Sequence, residues 1–390
     1  MAAPLKTAAS SAGAFVPRAF FEVSSHITRS YFLGHHTAAL ASMRKVLSNI
    51  GLIIECRDSR VPLTSANPLL ESALAGRDRI IVYTKTDLCA QETKKHRELL
   101  KSWHMPQTQT GEGVGGGMTT VMFTAERSPT TINRLLDTIK ARAAAQDSLI
   151  GLRALVVGMP NAGKSTLLNA LRRDGMQLPK AARTSGLPGT TRKLSMPVRI
   201  VAATPSPSSS DISNSDSPPG HETDVGEGVF VVDTPGVFVP YVADVESMLK
   251  LALVGCVKDG LVPAETVADY LLFLLNLRDP SIYAHLCNTP TNDIYEFLDA
   301  VARRTGKLLK GGVPSRTQAA PWIIQQWRAG HLGHFILDNL TKEALDERAR
   351  RIREQGENTP LSMNQARKRM KEALKEKNAA KRAAALNSGA

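Results

Sequence analysis

Cysteine is scarce and scattered in this chain of 390 residues: Cys56, Cys89, Cys256 and Cys287 are all it has, and no two stand in a CxxC spacing. That excludes a zinc knuckle and a disulfide-stapled scaffold, and it favours a reducing compartment. Long apolar runs are also missing. The longest, residues 270–275, falls far short of the ~18 residues a membrane-spanning helix needs, so a soluble protein is expected. Acidic side chains are outnumbered, 36 against 49 basic, which leaves a formal net charge of +13. An excess of that sign points to a polyanionic partner, either nucleic acid or an anionic membrane surface. What is present in ordinary measure is the rest: 42% hydrophobic and 22% charged residues fit globular usage and exclude wholesale disorder. At about 150 residues per domain, the length allows two or three folded units.

Residues 1–30 hold one acidic side chain, Glu22, against Lys6, Arg18 and Arg29, set among many Ala and Ser with no unbroken apolar core. An acid-poor stretch of this kind, able to form an amphipathic helix, has the composition of a mitochondrial transit peptide and not of a secretory signal. A merely disordered terminus is the plainer alternative.

Short runs rich in Val and Ile at 52–54, 80–83, 120–123, 154–157, 198–201 and 229–232 predict six buried parallel strands. Helical patterns at 68–75, 91–103, 132–145 and 165–172 alternate with them, which predicts an α/β doubly wound sheet over residues 31–245. Two low-complexity stretches, 107–118 with its glycines and 204–228 with its Ser, Pro and Asp, read as loop insertions. Beyond 245 the pattern turns helical, at 264–275, 294–304, 317–328 and 341–355, predicting an all-helical domain over 246–355. A basic tail, 356–390, closes the chain. Over its residues 364–390, Arg367, Lys368, Arg369, Lys371, Lys375, Lys377, Lys381 and Arg382 face only Glu372 and Glu376, a balance suited to phosphate contacts, although a solvated helix end would look the same.

The sequence GMPNAGKST at 158–166 is a P-loop, with the strand 154–157 before it and a helical pattern after it. Gly158 and Gly163 let the backbone curl so that successive N–H groups of a loop that includes Asn161 and Ala162 point at phosphate oxygens, with Thr166 in the first helical turn. Lys164 reaches the β- and γ-phosphates, and Ser165 ligates Mg²⁺. DTPG at 233–236 follows the strand 229–232, so Asp233 can hold Mg²⁺ through water and the Gly236 N–H can meet the γ-phosphate. Between the two, GLPGTTR at 186–192 supplies a loop threonine to close over metal and phosphate, Thr191 in preference to Thr190. TKTD at 84–87 is the guanine-selecting element: Asp87 accepts from N1–H and N2–H₂ of the base, the stem of Lys85 packs along it, and Thr84 opens the turn. Thr124 and Ala125, after the strand 120–123, form the small-residue turn beside the guanine carbonyl. The guanine elements therefore precede the P-loop, the threonine loop and DTPG. That order is a circular permutation, which nearby domain termini permit without disturbing the core.

With these motifs the chain resembles the YlqF/RbgA family of circularly permuted GTPases, over residues 32–338. FLGH at 32–35 is similar to the family's FPGHM, RDSRVP at 57–62 to its DAR-x-P, and GCVKD at 255–259 and RAGHLG at 328–333 look like family segments. Leu33, Ser59 and Thr84 depart from the family's Pro, Ala and Asn. The resemblance implies a permuted P-loop GTPase domain followed by a helical domain, binding of GTP or GDP with Mg²⁺, and hydrolysis stimulated by the ribosome. With a transit peptide, it implies assembly of the large subunit of the mitochondrial ribosome on its rRNA, in the matrix. Val237, the residue after DTPG, cannot orient a water. The resemblance gives that task to His35, with the neighbouring His36 an inert control, and it gives Asn161 a K⁺ beside the phosphates, against the plainer reading of a loop asparagine capping its own turn. A rival reading is a GTP-regulated binding module held peripherally on the matrix face of the inner membrane.

Overall fold

The computed structural model describes residues 15–23, 27, 34–89, 93–104, 117–146, 150–184, 189–191, 194–203, 226–239, 242 and 244–357. Most of the leader, the bulk of both insertions and residues 358–390 of the basic tail lie outside the described residues.

Six strands form one sheet: β1 (Leu52–Asp58), β2 (Arg79–Thr84), β3 (Thr119–Phe123), β4 (Leu152–Gly158), β5 (Val198–Val201) and β6 (Val229–Asp233), in the spatial order β3-β2-β1-β4-β6-β5. All neighbours are parallel except β5, which pairs antiparallel with β6, Val198 opposite Val231. The expectation of a parallel strand at 198–201 is corrected on this point. No crossover helix separates β5 from β6 among the described residues, and a strand that returns directly beside its successor runs antiparallel. Apolar content carries no direction.

Helices cover both faces. Ile54 and Cys56 of β1 point to the side where α4 (Pro129–Ala145) and α5 (Lys164–Met176) bury Leu135, Ile139, Leu168 and Leu171. Ile53 points to the other, where α1 (Gly34–Val46) and α2 (Pro68–Ala73) bury Ala39, Met43 and Leu70. β1 is buried at every position, as a central strand must be, whereas β3 at the edge is only half-buried. On β2, Ile81 and Tyr83 meet Leu100 of α3 (Thr93–His104) and Leu345 of α10 (Lys342–Glu357).

The chain divides into two compact units. One comprises residues 25–261 and 334–390, and the other residues 1–24 and 262–333. The helical unit is built from α7 (Ala264–Arg278), α8 (Ile294–Thr305) and α9 (Arg316–Arg328). Its interior joins Tyr283 edge-on to Phe297 at 5.1 Å, with the Tyr283 hydroxyl donating to Asn276 Oδ1 at 2.6 Å. Asp293 caps α8 by accepting from Tyr295 N at 2.7 Å. This unit is shorter than the 246–355 expected. α6 (Val245–Leu253) and α10 belong to the sheet-containing unit. Helical periodicity reveals a buried face but not the core that buries it.

Candidate functional site

The P-loop follows β4 and turns into α5 through two left-handed residues, Asn161 at φ 55° and Gly163 at φ 82°. A Cβ on Gly163 would stand 3.3 Å from Thr84 Oγ1, which is how closely the guanine-type element approaches this loop. The first-turn N–H groups of α5 have no intrahelical acceptor and lie at the positive end of its dipole. Lys164 is buried, and its Nζ donates to Met159 O at 2.7 Å and Gly158 O at 3.3 Å. Burial lowers its pKa, and Asp233 is the chief opposing charge.

Ser165 Oγ donates to Asp233 Oδ2 at 2.5 Å and lies 3.3 Å from Thr191 Oγ1. The three residues expected at a metal are thus together, and Thr191 is the threonine that reaches them. Asp233 is 2% exposed, and its second oxygen, Oδ1, is buried with no hydrogen-bond partner. Burial raises the pKa of this carboxyl, opposed by the Ser165 hydroxyl and then by Lys164. Two hydroxyls and a carboxylate with an unused oxygen suit a hard cation such as Mg²⁺.

DTPG runs on from Asp233 against the P-loop. A Cβ on Gly236 would fall 2.6 Å from the N and Cα of Pro160, so only glycine fits. Thr234 Oγ1 donates to Val156 O at 2.7 Å, Val237 N to Gly158 O at 3.1 Å, and Asn67 Nδ2 to Val237 O at 2.9 Å. His36, on α1 and 1% exposed, places Nδ1 3.0 Å from Gly236 O and 3.5 Å from Phe238 N. The shorter contact is to an acceptor, so Nδ1 carries the proton. His35 precedes it in α1, and its side chain lies outside the described residues. The expected control, His36, is thus itself bonded to the DTPG loop.

On the other flank Thr84 Oγ1 donates to Ala162 O at 2.8 Å and Arg57 O at 3.2 Å. Lys85, left-handed at φ 58°, donates from Nζ to Asn161 O at 2.7 Å and Asp58 Oδ2 at 2.8 Å. Asp87 is exposed on a 3-10 turn, Thr86–Cys89. Thr86 N reaches Thr124 O at 3.2 Å, Thr124 N reaches Tyr83 O at 2.8 Å, and Thr131 Oγ1 holds Ala125 N at 3.2 Å. TKTD and the turn at 124–125 thus sit side by side.

Asp58, fully buried, was not singled out in the sequence beyond its place in RDSRVP. Arg60 grips it with Nε to Oδ1 at 3.0 Å and Nη2 to Oδ2 at 2.8 Å, and shares Oδ2 with Lys85. Burial alone would raise the Asp58 pKa, but Arg60 and then Lys85 outweigh it and hold the carboxyl well below the carboxylate range. The same stretch anchors the returning chain, since Leu337 N donates to Arg60 O at 2.7 Å and Asp338 accepts from Leu63 N and Thr64 N, each at 2.8 Å. Asn161 Nδ2 donates to Gly255 O at 2.7 Å, so its side chain joins the GCVKD segment.

The family described as 50S ribosome-binding GTPase matches residues 153–303. Mitochondrial GTPase 1 of Schizosaccharomyces pombe is 35% identical over 345 residues, covering 85% of this chain and 95% of its own length. The chain belongs to the mitochondrial GTPase 1 family. As a mitochondrial GTPase 1 relative it is a GTPase with the permuted order of elements described above. Mitochondrial ribosome-associated GTPase 1 of Xenopus tropicalis is 30% identical, over 82% of this chain and 98% of its own. Among solved structures, GNP-bound YlqF from T. maritima aligns over 78% of this chain and 98% of its own at 21% identity and a TM-score of 0.46.

Proposed function

We propose that this GTPase is a nucleotide-switched factor in assembly of the large subunit of the mitochondrial ribosome, working in the matrix and gripping rRNA phosphates with its helical unit and basic tail. The observation that carries the nucleotide half is the meeting of Ser165, Thr191 and the half-unsatisfied carboxylate of Asp233 beside a buried Lys164. Ser165 and Thr191 would hold Mg²⁺ directly and Asp233 through water. The ion supplies charge neutralisation at the β- and γ-phosphate oxygens. Lys164 releases Met159 O and turns to those oxygens, while the Gly163 to Thr166 amides at the start of α5 cradle the diphosphate. Asp87 accepts from the guanine edge, with Lys85 and Thr84 bracing that turn and Thr124 and Ala125 lining the carbonyl side. His35 positions the attacking water, and Asn161 stands where K⁺ would sit.

The names of the relatives, mitochondrial and ribosome-associated, support the ribosomal half. So does the excess of basic charge. No helix among the described residues is long and apolar enough to cross a membrane, so inner-membrane contact would be peripheral. Co-sedimentation with isolated mitochondrial large subunits, run beside anionic liposomes, tests the proposal. GTP-dependent pelleting with subunits is expected. Pelleting with liposomes alone would replace it by the membrane-docked module.

A further inference from the structure

Arg18 and Phe21 fall inside the stretch whose composition reads as a removable leader, yet both are built into the helical unit. Residues 15–23 form neither helix nor strand, so whatever holds them is side-chain contact. Arg18 pairs with Asp269 of α7 through both amino groups, Nη2 to Oδ1 at 2.6 Å and Nη1 to Oδ2 at 3.3 Å. Its guanidinium also lies over the rings of Phe21 and Phe273, 5.5 and 5.8 Å from their centroids. Phe21 meets Tyr270 edge-on at 5.2 Å and Phe273 at 5.7 Å. Asn292 Nδ2 donates to Val16 O at 2.9 Å, fixing the backbone upstream. Under this segment Tyr270 is 1% exposed and Phe273 8%.

A bidentate guanidinium–carboxylate pair stacked on two aromatic rings is a specific contact, not the loose association of a passing tail. Stripping the segment would bare an aromatic face on α7 and leave the Asp269 carboxylate without its cation. We infer that residues 16–21 are a permanent strap of the helical unit, and that processing of the N-terminus stops at or before Val16. The inference rests on the mitochondrial reading only for the occurrence of processing. The strap itself stands on the contacts to Asp269, Tyr270, Phe273 and Asn292.

Mass spectrometry of the N-terminus of the full chain recovered from its native organelle tests the first half. A terminus at or before Val16 is expected, and one beyond it overturns the inference. A terminus at Met1 or Ala2 also retains the strap and counts against import processing alone. Hydrogen exchange on the purified protein tests the second half. In the full chain Phe21→Ala and Arg18→Gln should each speed amide exchange across α7, by about tenfold for Phe21→Ala, whereas a chain beginning at Phe15 should match the full one. Unchanged α7 exchange in both point variants would show that the segment is not part of the unit. Arg18→Gln keeps the test open if Phe21→Ala is too unstable to purify.

Discussion

The imidazole of His36 holds the carbonyl of Gly236 at 3.0 Å, which fastens α1 to the loop whose N–H is proposed to meet the γ-phosphate. Whatever turns the Gly236 peptide must either break that bond or carry α1, and with it His35, along. The role expected of His36 is that of a positioning residue.

His36→Ala should then lower kcat for GTP hydrolysis by roughly tenfold, the order of one hydrogen bond of about 1–1.5 kcal/mol, while leaving GDP affinity unchanged. His36→Asn, whose Nδ2 can take the place of Nδ1, should recover most of it. Steady-state kinetics on both variants decides the matter. Wild-type turnover in the alanine variant would make His36 a packing residue only.

Asp233 is held at the cost of burying a carboxylate, and its raised pKa means that its ionised form destabilises the nucleotide-free protein. The sign is that of a group whose folded pKa lies above its unfolded one: the destabilisation is present at neutral pH and relieved as pH falls through the raised value. Asp233→Asn should therefore raise the thermal stability of the nucleotide-free protein by about 0.5–2 kcal/mol, as functional-site substitutions often do, while abolishing Mg²⁺-dependent GTP binding. Calorimetry with and without Mg²⁺·GTP reads both. A lowered melting temperature would mean that Asp233 is structural.

What could be read in the sequence was the chemistry with fixed spacing. The P-loop at 158–165 announces itself because its glycines, lysine and serine are required at set positions in one short stretch, and TKTD and DTPG follow strands that apolar content already marks. The antiparallel course of β5 could not be read, because Val198 and Ile200 are apolar whichever way the strand runs. Nor could the Asp58–Lys85 contact. The two residues are far apart in sequence and meet only because β1 and β2 are parallel neighbours, with Asp58 opposite Thr84. α6 and α10 have the same helical periodicity as α7 and α8, and only the fold decides which core each one serves. His36 was hidden for a similar reason, since its partner is a backbone carbonyl 200 residues away.

Asp58 binds two cations, the buried Arg60 and the part-exposed Lys85, so its loss removes the carboxylate that both share. Asp58→Asn should destabilise the protein by about 3–5 kcal/mol, the range for breaking one side of a buried ion pair. Its depressed pKa sets the pH dependence. The stabilisation is present above the ordinary value of 3.8 and is lost as pH falls below that toward the lower folded value. Urea titrations at neutral and acid pH should show the wild-type advantage over the variant shrinking in acid. An equal gap at both would mean that Asp58 is not ionised in the fold.

Asp87 is the one carboxylate of TKTD, exposed on its 3-10 turn, while Lys85 and Thr84 are tied back to the P-loop and cannot turn to a base edge without releasing it. Guanine specificity should therefore rest on Asp87. A carboxylate there accepts from N1–H and N2–H₂ together, whereas adenine offers an acceptor at N1 and no 2-amino donor, so it would face the carboxylate with repulsion. Asp87→Asn should weaken GTP binding by about 10²-fold, two charge-assisted hydrogen bonds at roughly 1.5 kcal/mol each, and the amide's donor should admit xanthosine triphosphate, which carries a carbonyl at position 2. Competition of the two nucleotides for a fluorescent analogue on the variant and on the wild type measures the exchange. Because Asp87 touches neither the metal cluster nor Lys164, the triphosphate contacts should be kept and the switch in base preference should appear with Mg²⁺ dependence intact. Unchanged preference for GTP in the variant would place the base elsewhere.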